Sequence, residues 1–145
     1  LTLIPHFAFP ESAVIKRKPL AATARRAGWV GCNIDLRRIA PDARIPLVTC
    51  GVAQTATSVR ANFARLKPLR EIKSPQRGWT LDVLNAVRRL GVSEFTTADA
   101  YVFAKELERL HPDNRHVNDK IRQQLQVLRD AGLLIHAERG LWRLP

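Results

Sequence analysis

Residues 115–132 read RHVNDKIRQQLQVLRDAG, and residues 133–145 read LLIHAERGLWRLP. In the first stretch Val117, Ile121, Leu125 and Leu128 recur at intervals of four, four and three, the repeat of an amphipathic helix. The helix is expected over about 115–131, with Gly132 as its stop. The second stretch holds two apolar runs, LLIHA and LWRLP, joined by Glu138-Arg139-Gly140, the pattern of a β-hairpin. Trp142 alternates with Arg143 on that hairpin and reads as a core residue.

Upstream, the pattern completes a unit. A helix is expected over 80–90, where Val83, Leu84, Val87 and Leu90 share a face with Leu81 at its edge and Gly91 ends the run. Phe95 and Thr96 form a short extended stretch. Thr96-Thr97-Ala98-Asp99 fits a capping box with Asp99 in the acidic position. A second helix is expected from there to about residue 110, burying Val102, Phe103, Leu107 and Leu110. Three helices, a strand after the first, and a closing hairpin are the order of a winged helix. The face of the third helix opposite its apolar stripe carries Arg115, Asp119, Arg122, Gln123 and Gln126. Arg, Gln and Asn pair bidentately with purine edges in the major groove, and base contacts come mainly from the N-terminal part of such a helix. Arg115, Asn118, Arg122 and Gln123 are the candidate readers. In the wing, Arg139 and Arg143 are placed to meet phosphate.

The first half reads differently. LTLI, SAVI, WVGCNIDL and RIPLVTC have strand composition, interrupted by prolines and by Gly31. A helix is expected over 57–67, with Val59, Phe63 and Leu66 inward. Residues 69–78, LREIKSPQRG, read as a polar linker between a segment at 1–68 and a winged helix at 79–145. The expected class is α+β, and halves this small would each be marginal without mutual support. The chain opens on Leu1 and has no Met, so it is expected to be a fragment of a longer protein.

Charge narrows the partner. The chain holds 24 Lys and Arg against 13 Asp and Glu, net +11. Residues 1–77 hold 14 cations and 4 acids, whereas 78–145 hold 10 and 9. Such an excess fits a polyanion, since neutralising phosphates releases condensed counterions. Lys16, Arg17, Lys18, Arg25 and Arg26 fall within eleven positions of one another, with Trp29 close behind. A cationic loop beside an aromatic suits phosphate contact with stacking or apolar contact to a base. Cys32 and Cys50 belong to no C-x-x-C pair and have no nearby His, so they read as buried reduced thiols rather than zinc ligands. No apolar run is long enough for a membrane helix, and the chain is expected in the cytoplasm.

The run KRKPLAATARRAGWVGCNIDL strongly resembles the DpnI family, as do RGWTLDVLN, SEFT, KIRQQLQVLRD and RGLWR in the second half. The resemblance covers nearly the whole chain. It implies a restriction endonuclease that cuts GATC carrying N6-methyladenine, built from a PD-(D/E)xK nuclease domain followed by a winged helix, with methylated duplex DNA as partner and a monomer as the expected state. It implies that 1–68 is the C-terminal remnant of the nuclease domain and that the tryptophan of RRAGW, Trp29, takes part in recognising the methyl groups. Trp79 is a second aromatic able to cover a methyl. The family's Mg2+-binding carboxylates, catalytic lysine and structural zinc site map upstream of the matched region, so this chain is expected to bind DNA without cutting it. Pro41-Asp42 and Glu71-Ile72-Lys73 spell the nuclease motif formally, but Glu71 lies beyond Pro68 with no strand around it. Two other readings of the residues stand beside this one: a non-catalytic winged-helix regulator and a winged-helix protein-interaction module.

Overall fold

A computed structural model describes all 145 residues. The first half contains β1 (Thr2–Leu3), β2 (Val14–Lys16), β3 (Cys32–Ile34), β4 (Ile45–Pro46), β5 (Val48–Thr49), β6 (Val52–Ala53) and helix α1 (Ala56–Leu66). The second contains α2 (Ser74–Arg88), β7 (Glu94–Thr96), α3 (Thr97–Tyr101), α4 (Ala104–Leu110), α5 (Val117–Asp130), β8 (Ile135–Glu138) and β9 (Leu141–Arg143).

The second half has winged-helix topology. Strand β9 lies between β7 and β8, both antiparallel to it, so the strand after the first helix joins the C-terminal hairpin in one three-stranded sheet. Helix α5 packs on α2, α3 and α4, and its stripe of Ile121, Leu125 and Leu128 is fully buried. Its end is a Schellman motif: Gly132 adopts φ +72°, its N–H reaches Arg129 O, and the Leu133 N–H reaches Leu128 O. The capping box forms as read. The Thr96 N–H donates to Asp99 Oδ2 (2.7 Å) and the Asp99 N–H to Thr96 Oγ1 (3.2 Å). The Thr96 N–H, and after it the Thr96 hydroxyl donating to the same Oδ2 (2.8 Å), hold the Asp99 carboxyl below its ordinary range. The cap is therefore complete above the usual carboxylate range and lost as pH falls through the lowered value.

Three expectations need correction. Helix α2 begins at Ser74, not near residue 80, because Pro75 sits in its first turn, where its missing N–H has no partner to lose. With Leu69 fully buried in a short 3-10 helix (Lys67–Glu71), the stretch 69–78 is packed structure and not a free linker. The helix expected up to residue 110 is two pieces broken at Val102 and Phe103, and the turn carries Val102 outward to 77% exposure. In the first half no extended mixed sheet forms. Its strands, two or three residues long, pair as three separate two-stranded ladders, β1–β4, β2–β3 and β5–β6. Pro5, Pro10, Pro19, Pro41 and Pro46 interrupt the segments that would lengthen them.

The two halves share one core. Trp79 to Val87 are nine consecutive buried residues, so α2 has no solvent face along this stretch. One side meets α5, where the Thr80 hydroxyl donates to Gln76 O (2.9 Å) and lies 2.6 Å from the amide of the buried Gln124. A hydroxyl has one proton, so its lone pairs suit the Gln124 NH2, which has no other partner. The other side carries Asp82, Asn85 and Arg88, spaced by three. Asp82 accepts from Ser12 Oγ, Asn85 Nδ2 donates to Arg37 O (3.1 Å), and Arg88 grips both oxygens of Asp42, with Nε to Oδ2 at 2.7 Å. Apart from His111, which lies 2.8 Å from the second oxygen of Asp82, the partners on this side lie in the first half. Apolar Ala8, Ala13, Ile39, Ala40 and Ala43 fill the space around them.

Arg88→Ala should therefore strip Asp42 of its bidentate partner, leaving Arg65 at 3.8 Å, and destabilise the protein by about 3 kcal/mol. Urea denaturation should show that loss in a single transition, whether followed by Trp29-weighted fluorescence or by helical circular dichroism. A loss confined to one half, with the other unfolding at its original midpoint, would contradict the shared core.

Candidate nucleic-acid interface

Strands β2 and β3 are the base of a long arm. Beyond the paired residues Lys16 and Cys32 the chain stays antiparallel: the Arg17 N–H donates to Gly31 O and the Leu20 N–H to Trp29 O, each at 2.9 Å. The tip turns through residues 22–28 and closes at Gly28, whose φ of +77° a side chain rarely adopts. Lys16, Arg17 and Lys18 lie on the outgoing strand, Arg25 and Arg26 on the tip, and all five are exposed without an ion pair. Trp29 is 54% exposed. Its six-membered ring lies across Gly31: a Cβ there would fall 2.9 Å from Cη2 and Cζ3 and 3.8 Å from Arg17 Cδ. The glycine read as a close backbone approach thus makes room for the indole. The arm is apolar as well as basic. Val14, Ile15, Leu20, Val30 and Ile34 are exposed along it, since a two-stranded ladder has no second layer to cover it.

Helix α5 turns Arg115, Asn118, Arg122 and Gln123 to solvent at or near its start, along with Asp119 and Gln126. Arg122 makes no ion pair. The Gln123 amide is held from one side, its Oε1 accepting from Lys120 Nζ at 2.8 Å. The helix is entered through Asn114, whose Oδ1 takes the His116 N–H (2.8 Å). In the wing, Arg139 is exposed at the hairpin tip. Arg143 faces Glu94 across the strands, with Nε to Oε1 at 2.7 Å, which offsets the charge read there as a phosphate contact. Trp142 is buried and donates its indole N–H to Thr97 Oγ1 (2.9 Å).

Two sequence readings change here. Trp79, 7% exposed, stacks on His111 with ring centroids 4.0 Å apart, so it lines the interior and does not offer a face to a base. Cys32 and Cys50 are exposed, not buried. Cys32 sits on the open arm, and Cys50 occupies a tight turn at φ +49°. The sequence reading missed the node beneath Trp79, in which His111 Nε2 lies 2.8 Å from Asp82 Oδ2 while Ser12 bonds the other oxygen. The i, i+3 spacing of Asp82, Asn85 and Arg88 on a helix otherwise apolar is the signal that pointed to it.

The node forms the floor of a cleft of about 1110 Å³ between the halves. Its walls are residues 9–12 and Val14 at the base of the arm, residues 74–79 at the start of α2, and the turn 109–114 with Lys120 of α5. The base of the arm and the turn that precedes α5 thus border one opening, while Arg115 and Asn118 line a separate hollow beside Ala104, Lys105 and Glu108.

The residues do not suit a catalytic metal. Asp42 is engaged by Arg88 and Arg65, Glu71 is exposed on the short 3-10 helix, and no three His, Cys, Asp or Glu side chains converge to hold an ion. The family-implied Mg2+ and zinc therefore find no donor set of three such side chains among these residues. No helix is long and apolar enough to cross a membrane.

If the outer face of α5 meets base edges, Arg122→Ala and Gln123→Ala should each remove about 1–3 kcal/mol of sequence discrimination. Both side chains lie off the buried stripe, so the thermal midpoint should hold. Competition binding with point-substituted duplexes measures the first and calorimetry the second; unchanged discrimination in both variants would remove these residues as readers.

Comparison with known families agrees across the chain. Residues 1–72 match the Dam-replacing family, DpnI, and residues 75–144 match the Dam-replacing helix-turn-helix domain, DpnI_C. The helix-turn-helix match falls on the unit formed by α2 to β9 and marks DNA as its partner. The chain belongs to the DpnI-like Dam-replacing family, a family of restriction endonucleases.

Proposed function

We propose that this chain is the DNA-binding portion of a restriction endonuclease that cleaves GATC sites carrying N6-methyladenine, and that the chain itself binds such sites without cutting them. Within it, residues 1–68 act as the C-terminal part of the endonuclease domain and 79–145 as the winged-helix domain, joined through the packed segment 69–78. The observation that carries this reading is the pairing of a basic arm bearing an exposed Trp29 with an α5 whose polar face is open to solvent, in a chain of this family.

The mechanism is one of recognition. Lys16, Arg17, Lys18, Arg25 and Arg26 neutralise phosphates and set the register of the arm, which by itself carries no sequence information. Trp29 offers an indole seated across Gly31, on whose open face an adenine methyl loses its contact with water. Arg115, Asn118, Arg122 and Gln123 meet base edges from α5, and Arg139 meets the backbone beside them. Mg2+ would supply the charge stabilisation for phosphodiester hydrolysis in the whole enzyme.

Covering a methyl contributes about 0.8 kcal/mol, so the one methyl that a single Trp29 covers gives roughly fourfold tighter binding to the methylated duplex. Fluorescence anisotropy at one fixed salt concentration should show this preference for methylated over unmethylated GATC, and Trp29→Ala should erase it. Equal affinity for both duplexes in the unsubstituted chain would refute methyl reading. Cleavage of either duplex by the purified chain with magnesium would refute the recognition-only role.

A further inference from the structure

The cations of the chain divide into two groups. Arg37, Arg38, Arg65, Arg88, Arg89, Arg129 and Arg143 are in ion pairs with carboxylates of the chain itself. Besides the arm, α5 and the scattered Arg60, Lys105, Arg109 and Arg139, one stretch gathers three exposed cations with no such partner. Lys67, Arg70 and Lys73 are exposed, and Glu71 is the single acid among them.

Their spacing is the second observation. The 3-10 helix Lys67–Glu71 has about three residues and 6 Å per turn, so residues three apart stand above one another. Leu66 and Leu69 face inward and are fully buried. Lys67 and Arg70 form the next row, outside, and Lys73 follows the extended Ile72 as the N-cap of α2. The backbone beneath them is held in place, because the Arg77 guanidinium donates to Ile72 O (3.0 Å) and Arg70 O (3.5 Å). This is a fixed ridge, in contrast to a charged tail whose cations move independently.

Its position is the third. Directly after Lys73, residues 74–78 form the wall of the cleft opposite Asn114 and Lys120, beside the base of the arm at Glu11–Val14. Of the acids on that lining, Asp82 is occupied by Ser12 and His111, which leaves Glu11 and Asp113 to oppose Arg77, Arg109 and Lys120.

We propose that the Lys67–Arg70–Lys73 ridge is a third DNA surface, which contacts backbone phosphates of the same duplex between the arm and α5 and adds affinity without sequence information. This rests on the DNA-binding reading above and extends it to residues outside both recognition elements. Each phosphate contact steepens the dependence of log affinity on log salt by about 0.9. The triple variant Lys67→Gln/Arg70→Gln/Lys73→Gln removes only exposed side chains and leaves Leu66, Leu69 and Arg77 in place. Binding of a methylated GATC duplex, titrated between about 50 and 200 mM salt, should show a slope shallower by about 2–3. The ratio of methylated to unmethylated affinity at any one salt should stay as in the parent chain, and circular dichroism should be unchanged. A variant slope equal to that of the parent would overturn the ridge while leaving the recognition elements standing. A methyl preference lost with the slope would overturn the claim that the ridge carries no sequence information. A parent chain with no salt-dependent affinity for DNA would overturn the DNA reading as a whole.

Discussion

Helix α2 is enclosed on every side from Trp79 to Val87, and the rest of the molecule is arranged by that enclosure. A helix buried all round ordinarily belongs to a large core. Here it carries Asp82, Asn85 and Arg88 on one flank, and none of these enters an interior without a partner. The first half supplies Ser12, the carbonyl of Arg37 and Asp42, and His111 of the second half takes the other oxygen of Asp82. Removing Asp42 strands the Arg88 guanidinium, which costs more than the bond itself contributes. The polar flank therefore fixes a single way for the halves to meet, while the flank facing α5 is tied to the helix-turn-helix unit through the Thr80–Gln124 contact.

That arrangement has a functional consequence. The arm is rooted in Ser12 to Lys16, one residue of which is bonded to α2, and α5 packs on the opposite flank of the same helix. Two surfaces from different parts of the chain are thus held at a set separation by one rigid element. A body organised in this way does not need to order itself on the duplex, and ordering is among the larger costs of association. The arm departs from this economy along its two strands, where apolar side chains stand exposed beside cations. Among soluble surfaces such a combination marks a place made for contact.

The second half was legible in the sequence because its signals are local. The α5 stripe, the Thr96–Asp99 box, Gly132 and the Arg139-Gly140 turn each state a geometry within one or two turns of chain, and the structure reproduces them. What escaped depends on distant residues. Pro75 and Gly78 carry the marks of a linker, and only the burial of Leu69 and the hold of Arg77 on the preceding carbonyls show that they open a helix. Trp79 beside Arg77 looked like a surface aromatic until His111, more than thirty positions away, stacked upon it. The strands of the first half were placed correctly and overestimated in extent, since composition marks a strand but not the neighbour that would lengthen it. For the proposed interface, the arm cations and the outer residues of α5 stand out by type and spacing, and Trp29 only through the family resemblance; all are exposed. The cations at Lys67, Arg70 and Lys73 did not stand out, because their common exposure appears only once Leu66 and Leu69 are known to be buried.

The central claim is that the arm and α5 meet one duplex from a body pinned together by α2. Amide hydrogen exchange, followed with and without a methylated GATC duplex, tests it most directly. The account predicts that protection rises together in residues 16–31 and 115–126, while residues 79–87 of α2 exchange equally slowly in both conditions. Protection confined to one of the two surfaces, or α2 amides that exchange freely without DNA, would contradict it.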